Sequence, residues 1–404
     1  MTADLELTVS DLQAILASLV RGALLQANKP HFLFADSASL DERTPMQPGI
    51  TGLEDVRLQQ VAGSFTQLLG VAPDFVQELL PLPTLGAWAE AALPKWRDTP
   101  KELVFLTSGS TGEPTACRQA FALLQQEIRA QADIFGGHAR IVSMVPRHHI
   151  YGFLFCVLLP KVLDVPVVEM PLVPSESQIE ALHAADLVVA FPMFWKTVST
   201  LSAAIPPGVN GVTSTGPCPA ETIRALLNKG LHRMTEVYGS SETGGLGTRH
   251  HPDDAYTLLP YWRREADLPD GPTALVRALP DGETMGPVFA PDLLHWETER
   301  TFRPVKRQDR AVQVAGVNVY PQKVADCIRS HPNVRECAVR LMRPEEGQRL
   351  KAFIVLRQDA DEAQVRRELR AWLVQRLLSA EMPKSLTFGR TLPSNSMGKD
   401  ADWD

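Results

Sequence analysis

Residues 106–119 read LTSGSTGEPTACRQ, and they continue the apolar run Leu103-Val104-Phe105-Leu106. A short buried-strand pattern that ends in small hydroxyl residues between glycines predicts a strand running into a loop able to close on an anion. Thr107, Ser108, Ser110 and Thr111 supply hydroxyls, while Gly109 and Gly112 let backbone N–H groups converge on one point. No lysine follows Gly112, so this is not the Walker phosphate loop. A solvent-exposed serine and glycine turn would share the composition, so the neighbours of the loop must decide its chemistry.

Working outward, ELVFLTS (102–108) is followed by the helical FALLQQEIRAQADIF (121–135), then ARIVSMVP (139–146), ESQIEALHAA (176–185) and DLVVAFP (186–192). This rhythm predicts an α/β fold with mostly parallel, buried strands flanked by helices. Proline and glycine rise across 251–290, where HPDDAY, LPDGPT and LPDGETMGP read as turns of a β-rich subdomain. Past VKRQDRAVQVAG (305–316) the pattern restarts as a small α+β unit. The expected organisation is a large N-terminal domain over 1–308 and a small mobile C-terminal domain over 309–404, with a hinge near 307–310.

Bulk properties narrow the classes. At 404 residues the chain exceeds one ordinary core, and 44% apolar with 22% charged residues is an ordinary globular composition. A net charge of −7 without a Lys/Arg-dominated segment argues against a nucleic-acid partner. Five scattered cysteines without metal-type spacing suit a reducing, cytoplasmic compartment. The first twenty residues are amphipathic and acidic early, unlike a signal peptide. IYGFLFCVLLPKVLDVPVVEM (150–170) is broken by Pro160, Lys161, Asp164 and Pro166, which predicts a buried strand–helix pair rather than a membrane span.

Four further elements give the loop its context: EVYGSSETGG (236–245), the connector at Arg307 and Asp309, QVAGVNVYPQKV (313–324) and LPSNSMGKD (392–400). In this order they resemble the adenylate-forming superfamily of acyl-CoA synthetases, peptide-synthetase adenylation domains and luciferases. The family loop T-S-G-[ST]-T-G-x-P-K is matched from Thr107 to Pro114, and its aromatic-Gly-x-[ST]-E motif from Tyr238 to Glu242. Arg307, Asp309, Gly316, Val319 and Pro321 match the hinge pattern, and Pro393 to Lys399 the C-terminal P-x-x-x-x-G-K.

The resemblance implies that ATP and Mg²⁺ activate a carboxylic acid as an acyl-adenylate, which is then passed to a thiol. It puts residues 107–112 on the β- and γ-phosphates and Glu242 on Mg²⁺, a hard cation that one carboxylate, phosphate oxygens and water can satisfy. It puts Tyr238 on adenine, Gly239, Ser240 and Ser241 along the nucleotide, and Thr243 near the α-phosphate. Arg307 joins the nucleotide site, and Asp292 in FAPDLLHW (289–296) stands in for the family's ribose-binding T-G-D aspartate. Lys399 would bridge the acid and the α-phosphate as a compact point charge. In VPRHHIYGF (145–153), His149 and Gly152 match a family segment between acyl pocket and thiol tunnel; His148 is the alternative if the register shifts by one. Tyr151, Gly152, Phe191, Gly216 and Pro217 are the expected pocket walls, and Cys218 is read as packing, not as a nucleophile.

Three departures stand out. Thr115 replaces the lysine after the loop proline, with Arg118 as a possible substitute; Gln313 replaces a basic residue common near the thiolation surface; and only about 100 residues precede the loop, which reads as a shortened N-terminal subdomain. The 145–162 stretch and the short N-terminus are similar to stand-alone ligases of bacterial aryl-polyene and yellow pigment pathways. That narrower resemblance implies a hydroxybenzoate- or cinnamate-type acid and an acyl carrier protein as acceptor. A CoA ligase of the same fold and a non-catalytic scaffold are the alternatives. Arg366, Arg367, Arg370 and Arg376, on a helix over 361–378, could form a basic face for an acidic carrier.

Overall fold

The computed structural model describes residues 5–26, 40–107, 115–267, 273–307, 311–314, 317–343, 346–347, 349–358, 360–393 and 403. The chain divides into two compact units. The first holds Met1–Thr107, Ala116–Ala290 and Leu294–Pro304; the second holds Ser108–Thr115, Pro291–Leu293 and Val305–Asp404.

In the first unit the quoted stretch supplies β1 (Glu102–Thr107) and β2 (Thr115–Ala120), which pair with each other. Next in the chain come β3 (Arg140–Ser143), β4 (Val167–Glu169), β5 (Asp186–Ala190), β6 (Asn210–Thr213), β7 (Arg233–Ser240), β8 (Gly244–Arg249) and β9 (Tyr256–Leu258). With β13 (Asp292–Trp296) and β14 (Thr301–Arg307) they form a nine-stranded sheet in the order β13-β14-β9-β8-β7-β6-β5-β3-β4. Neighbours from β7 to β4 are parallel, whereas β7–β8, β8–β9 and β9–β14 are antiparallel. The turn-rich 251–290 segment supplies β10 (Trp262–Asp267), β11 (Thr273–Ala278) and β12 (Thr284–Phe289), a separate antiparallel sheet.

The parallel strands read as continuous apolar runs because both faces are covered. Ile141, Leu187, Val189 and Val212 face one buried cluster with helices Val9–Gln26, Asp55–Leu68, Leu85–Arg97 and Phe121–Phe135. Val142, Val188, Ala190 and Met234 face another with helices Pro192–Thr200 and Ala220–Asn228. The one carboxylate inside β5, Asp186, is fully buried and held by a bidentate pair with Arg140 at 2.6 and 2.8 Å. The apolar stretch after residue 149 becomes a helix at Ile150–Phe153, a π-helical turn at Leu154–Leu158, a helix at Leu159–Leu163 and then β4. Pro160 and Lys161 sit within the last helix, Asp164 ends it at φ 54°, and Pro166 leads into the strand; among the described residues no helix is long and apolar enough to span a bilayer.

The second unit is α+β. Hairpin strands β15 (Val312–Val314) and β16 (Val317–Val319) precede a three-stranded sheet, in which β17 (Val334–Leu341) runs antiparallel to β18 (Leu350–Leu356) and β18 parallel to β19 (Ser385–Gly389). Helix Pro321–Arg329 buries Val324, Ala325 and Ile328; helix Glu362–Val374, capped by Asp361, buries Val365, Leu369 and Leu373. The i, i+4 spacing of those apolar residues explains both helices.

Candidate active site

Ligands of open α/β sheets bind beyond the carboxyl ends of the strands. Adjacent strands β3, β5, β6 and β7 deliver four of the sequence-identified segments to that edge: 144–149, Phe191, Gly216–Pro217 and 240–243. Tyr151 knits them together, its hydroxyl lying 3.1 Å from the carbonyl oxygens of Ala190 and Val212. That hydroxyl is buried, so Tyr151 serves as a strut between strand ends, and burial raises its pKa well above 10.0. Gly152 is required where it stands: a Cβ there would lie 2.1 Å from the Pro146 carbonyl oxygen. Phe191 is half-buried and caps helix Pro192–Thr200; Gly216 is half-buried and Pro217 exposed. Just before them Thr215 takes φ 75°, a strained choice for a β-branched residue at the site's edge. Cys218 is buried and its thiol is pushed up to about 12, first by desolvation and then by Glu236, so it is a packing residue.

One histidine of the pair is held by a helix far upstream. Ser18 Oγ accepts from the Arg147 backbone N–H at 2.9 Å and bonds His148 Nδ1 at 2.9 Å. His148 is thus anchored, with its ring 4.4 Å from that of His149, which is exposed and precedes helix Ile150–Phe153. Desolvation lowers the pKa of His148 to about 3, with a further push from His149. The His148 ring is neutral at pH 7. Because the folded value of His148 lies below its ordinary 6.5, the unfolded chain takes the proton first, and stability present above 6.5 is lost as pH falls toward 3. At pH 5.5 the loss from this one group is about 1.4 kcal/mol. Melting curves at pH 7.5 and 5.5 should show a smaller acid-induced drop in His148→Gln than in the unmodified protein.

The EVYGSSETGG motif forms the β7–β8 hairpin, with a register shift after Tyr238. The Tyr238 ring is half-buried against Tyr256 and Phe302, with centroids at 5.5 and 5.4 Å. In the turn, Ser240 N–H donates to Thr243 Oγ1 at 3.2 Å, Thr243 N–H donates to Ser240 Oγ at 3.3 Å, and Thr243 Oγ1 donates to the Gly244 carbonyl at 2.8 Å. Thr243 is buried, Gly239 is exposed and Ser241 half-buried. Glu242 is exposed, and its carboxylate has no hydrogen-bond or ion-pair partner among the described residues. An uncommitted carboxylate on a fixed turn fits a hard cation that draws its other ligands from phosphate and water. No cluster of three or more metal-ligating residues occurs among the described residues.

The turn is gripped from behind by residues that motif reading missed. Gln119 Nε2, on β2, donates to the Ser241 carbonyl at 2.5 Å and to the Glu242 carbonyl at 3.1 Å, and Cys117 Sγ donates to the Ser241 carbonyl at 2.8 Å. Glu127, on helix Phe121–Phe135, accepts from Gly245 N–H at 2.9 Å and Gln131 Nε2 at 3.1 Å. Tyr261 and Trp262 donate to the Gly245 carbonyl at 3.1 and 2.8 Å. The double glycine is explained by the carboxylate: a Cβ on Gly244 (φ +68°) would lie 2.4 Å from Glu127 Oε2, and one on Gly245 2.6 Å from Oε1. Burial raises the Glu127 pKa against the attraction of buried Arg277, whose own pKa burial lowers. A clue was present in the sequence, since Glu127 and Gln131 interrupt the buried helical series Leu124, Ile128 and Phe135.

Asp292 opens β13, half-buried, and Arg307 closes β14. Thr107 ends β1, while Ser108, Gly109, Ser110, Thr111, Gly112 and Lys399 lie outside the described residues.

Residues 55–267 match the AMP-binding enzyme family, and residues 323–399 match the AMP-binding enzyme C-terminal domain. The chain belongs to this adenylate-forming family. It is an acid–thiol ligase by class. A 4-coumarate–CoA ligase of Halorhodospira halophila is 40% identical over 301 residues, covering 74% of each chain. A 3,4-dihydroxybenzoate–[aryl-carrier protein] ligase of Bacillus anthracis is 25% identical over 311 residues, 74% of this chain and 71% of that one. The amide bond synthetase McbA of Marinactinospora thermotolerans shares the fold, with a TM-score of 0.64 at 16% identity over 96% of this chain and 92% of that one.

Proposed function

We propose that this protein activates an aromatic carboxylic acid of the hydroxycinnamate or hydroxybenzoate class with ATP and transfers the acyl group to a phosphopantetheine thiol. The observation that carries this reading is the Ser240–Thr243 turn, which holds one uncommitted carboxylate, Glu242, beside the strand ends that carry the histidine pair, Phe191 and Gly216. A carboxylate oxygen of the acid attacks the α-phosphorus, the bond to the bridging oxygen breaks, and pyrophosphate leaves with its electron pair. The thiolate then attacks the acyl carbonyl, and AMP departs. Glu242 would hold Mg²⁺, which would supply charge neutralisation at the phosphates. Residues 107–112 hold the terminal phosphates, and Tyr238, Gly239, Ser240, Ser241 and Thr243 border the nucleotide. Asp292 takes the ribose and Arg307 belongs to the same site. Lys399 bridges acid and α-phosphate, then withdraws as the 309–404 domain turns about 307–310. His149 lines the path between acid and thiol, with Tyr151, Gly152, Phe191, Gly216 and Pro217 forming the acid pocket.

The acceptor is an acyl carrier protein. Supporting this, Arg367 and Arg370 are exposed on helix Glu362–Val374, on a face continued by Val374 and Leu378, 63% and 60% exposed. Cations beside bare aliphatic side chains suit an acidic, amphipathic carrier helix. CoA is the second reading, favoured by the 40% identity to a protein named as a CoA ligase. Free thiols at Cys117, Cys156, Cys218, Cys327 and Cys337 support a cytoplasmic setting.

The test is incubation with ATP, Mg²⁺ and a panel of coumarate, hydroxybenzoates and aliphatic acids, reading AMP formation, first without acceptor and then with CoA or a pantetheinylated carrier protein. Acid-dependent AMP is expected with the aromatic acids, and faster turnover with the carrier than with CoA. Absence of acid-dependent AMP across the panel would remove the reading.

A further inference from the structure

We infer that Gln119 is a positioning residue for the cation–nucleotide site: its amide fixes the backbone from which Glu242 projects. The inference rests on the proposed role of Glu242. Gln119 lies on β2, the strand that begins at Thr115 directly after the SGSTGEP segment, and its side chain is buried. Its amide nitrogen donates to two consecutive carbonyls, those of Ser241 and Glu242 itself, with Cys117 Sγ as a longer contact at 3.7 Å. Holding both peptide planes removes the rotation that would swing the Glu242 side chain. Three residues on, Glu127 takes the Gly245 N–H from the opposite end of the turn. Both grips come from one continuous strand–helix segment, β2 and helix Phe121–Phe135, so the turn that carries Glu242 is held at both ends by the same stretch of chain. An exposed carboxylate on an otherwise free hairpin would lose rotamer and backbone freedom on binding a cation; here the backbone share is already removed in the fold.

Cation binding is read directly, with Mn²⁺ as the probe. The protein with a non-hydrolysable ATP analogue is titrated with Mn²⁺, and free Mn²⁺ is followed by electron paramagnetic resonance. Gln119→Met keeps length and loses both donors; Gln119→Glu keeps shape and sets a carboxylate against two carbonyl oxygens. Loss of these hydrogen bonds should weaken Mn²⁺ binding by about tenfold in Gln119→Met, with a larger loss in Gln119→Glu. The affinity for the aromatic acid should stay within about twofold. A merely structural role would shift the melting curve and leave the Mn²⁺ constant in place, and that result would overturn the inference. Gln119→Glu binding Mn²⁺ as tightly as the unmodified protein would also overturn it. If neither variant folds, Gln119→Asn, which carries the same donors one methylene short, must show the Mn²⁺ weakening for the inference to stand. The proposed function fails separately: an unmodified protein that binds Mn²⁺ with the analogue but forms no acid-dependent AMP removes the ligase reading and leaves the role of Gln119 intact.

Discussion

Lys399→Ala should lower acid-dependent exchange of labelled pyrophosphate into ATP by roughly 100- to 1,000-fold, the scale on which removal of one preorganised charge donor acts. In the proposed chemistry an anionic acid approaches an anionic α-phosphate, and a compact ammonium between them offsets a repulsion that grows toward the transition state. The second half-reaction has no such encounter, because the adenylate is already formed. Transfer from a supplied acyl-adenylate to the thiol should therefore stay within a few-fold of the unmodified rate. Lys399→Arg should recover little, since a planar guanidinium cannot occupy a site shaped for a point charge. Exchange that survives in Lys399→Ala at the unmodified rate would show that another group carries adenylation.

Arg277→Met should cost about 3–5 kcal/mol of folding stability, because it leaves a buried polar set without its cation. Arg277 is 1% exposed on β11; its guanidinium donates to Gln126 Oε1 at 2.9 Å and to the Leu123 carbonyl at 2.6 Å. It also stacks over Tyr261 with its carbon 4.4 Å from the ring centroid, and it is the charge that offsets Glu127. Burial pushes the two groups toward neutrality, Glu127 upward and Arg277 downward, so desolvation outweighs their attraction. Without Arg277 the Glu127 pKa rises further. A carboxyl whose folded pKa exceeds its unfolded value loses stability as pH rises through the folded value, so the deficit of Arg277→Met against the unmodified protein should shrink on acidification toward 4.5. Denaturant midpoints at pH 7.5 and 5, with exposed Arg367→Met as a near-neutral control, measure both effects. Adding Glu127→Gln to Arg277→Met should recover part of the loss; no recovery would mean that the Arg277 packing, not its charge, carries the stability.

The family was legible because its chemistry is written locally. A strand, a glycine-spaced hydroxyl stretch, an aromatic-Gly-x-[ST]-E turn and a Gly-Lys near residue 399 each occupy fewer than ten positions, so the family pattern can be matched from short spacings alone. The alternation of buried strands and helices was equally plain, because β5 is buried on every side chain and its apolar run has no other reading. The histidine register was not legible: VPRHHIYGF allows either ring, and the choice between an anchored and an exposed histidine is made by Ser18, 130 positions away on another helix.

The sequence by itself determined the class of fold, the order of the motifs and the family, since these depend on short spacings and on hydrophobic period. The tertiary structure alone decided which groups hold those residues in place. Gln119 meets Glu242 across 123 positions, and Glu127 meets Gly245 across 118. Nothing in local spacing marks such pairs; they exist because the segment after the first loop packs against the β7–β8 hairpin, and buried polar groups brought there must find partners in whatever the topology sets beside them. In the fold, the two glycines of SSETGG leave the room taken by the Glu127 carboxylate.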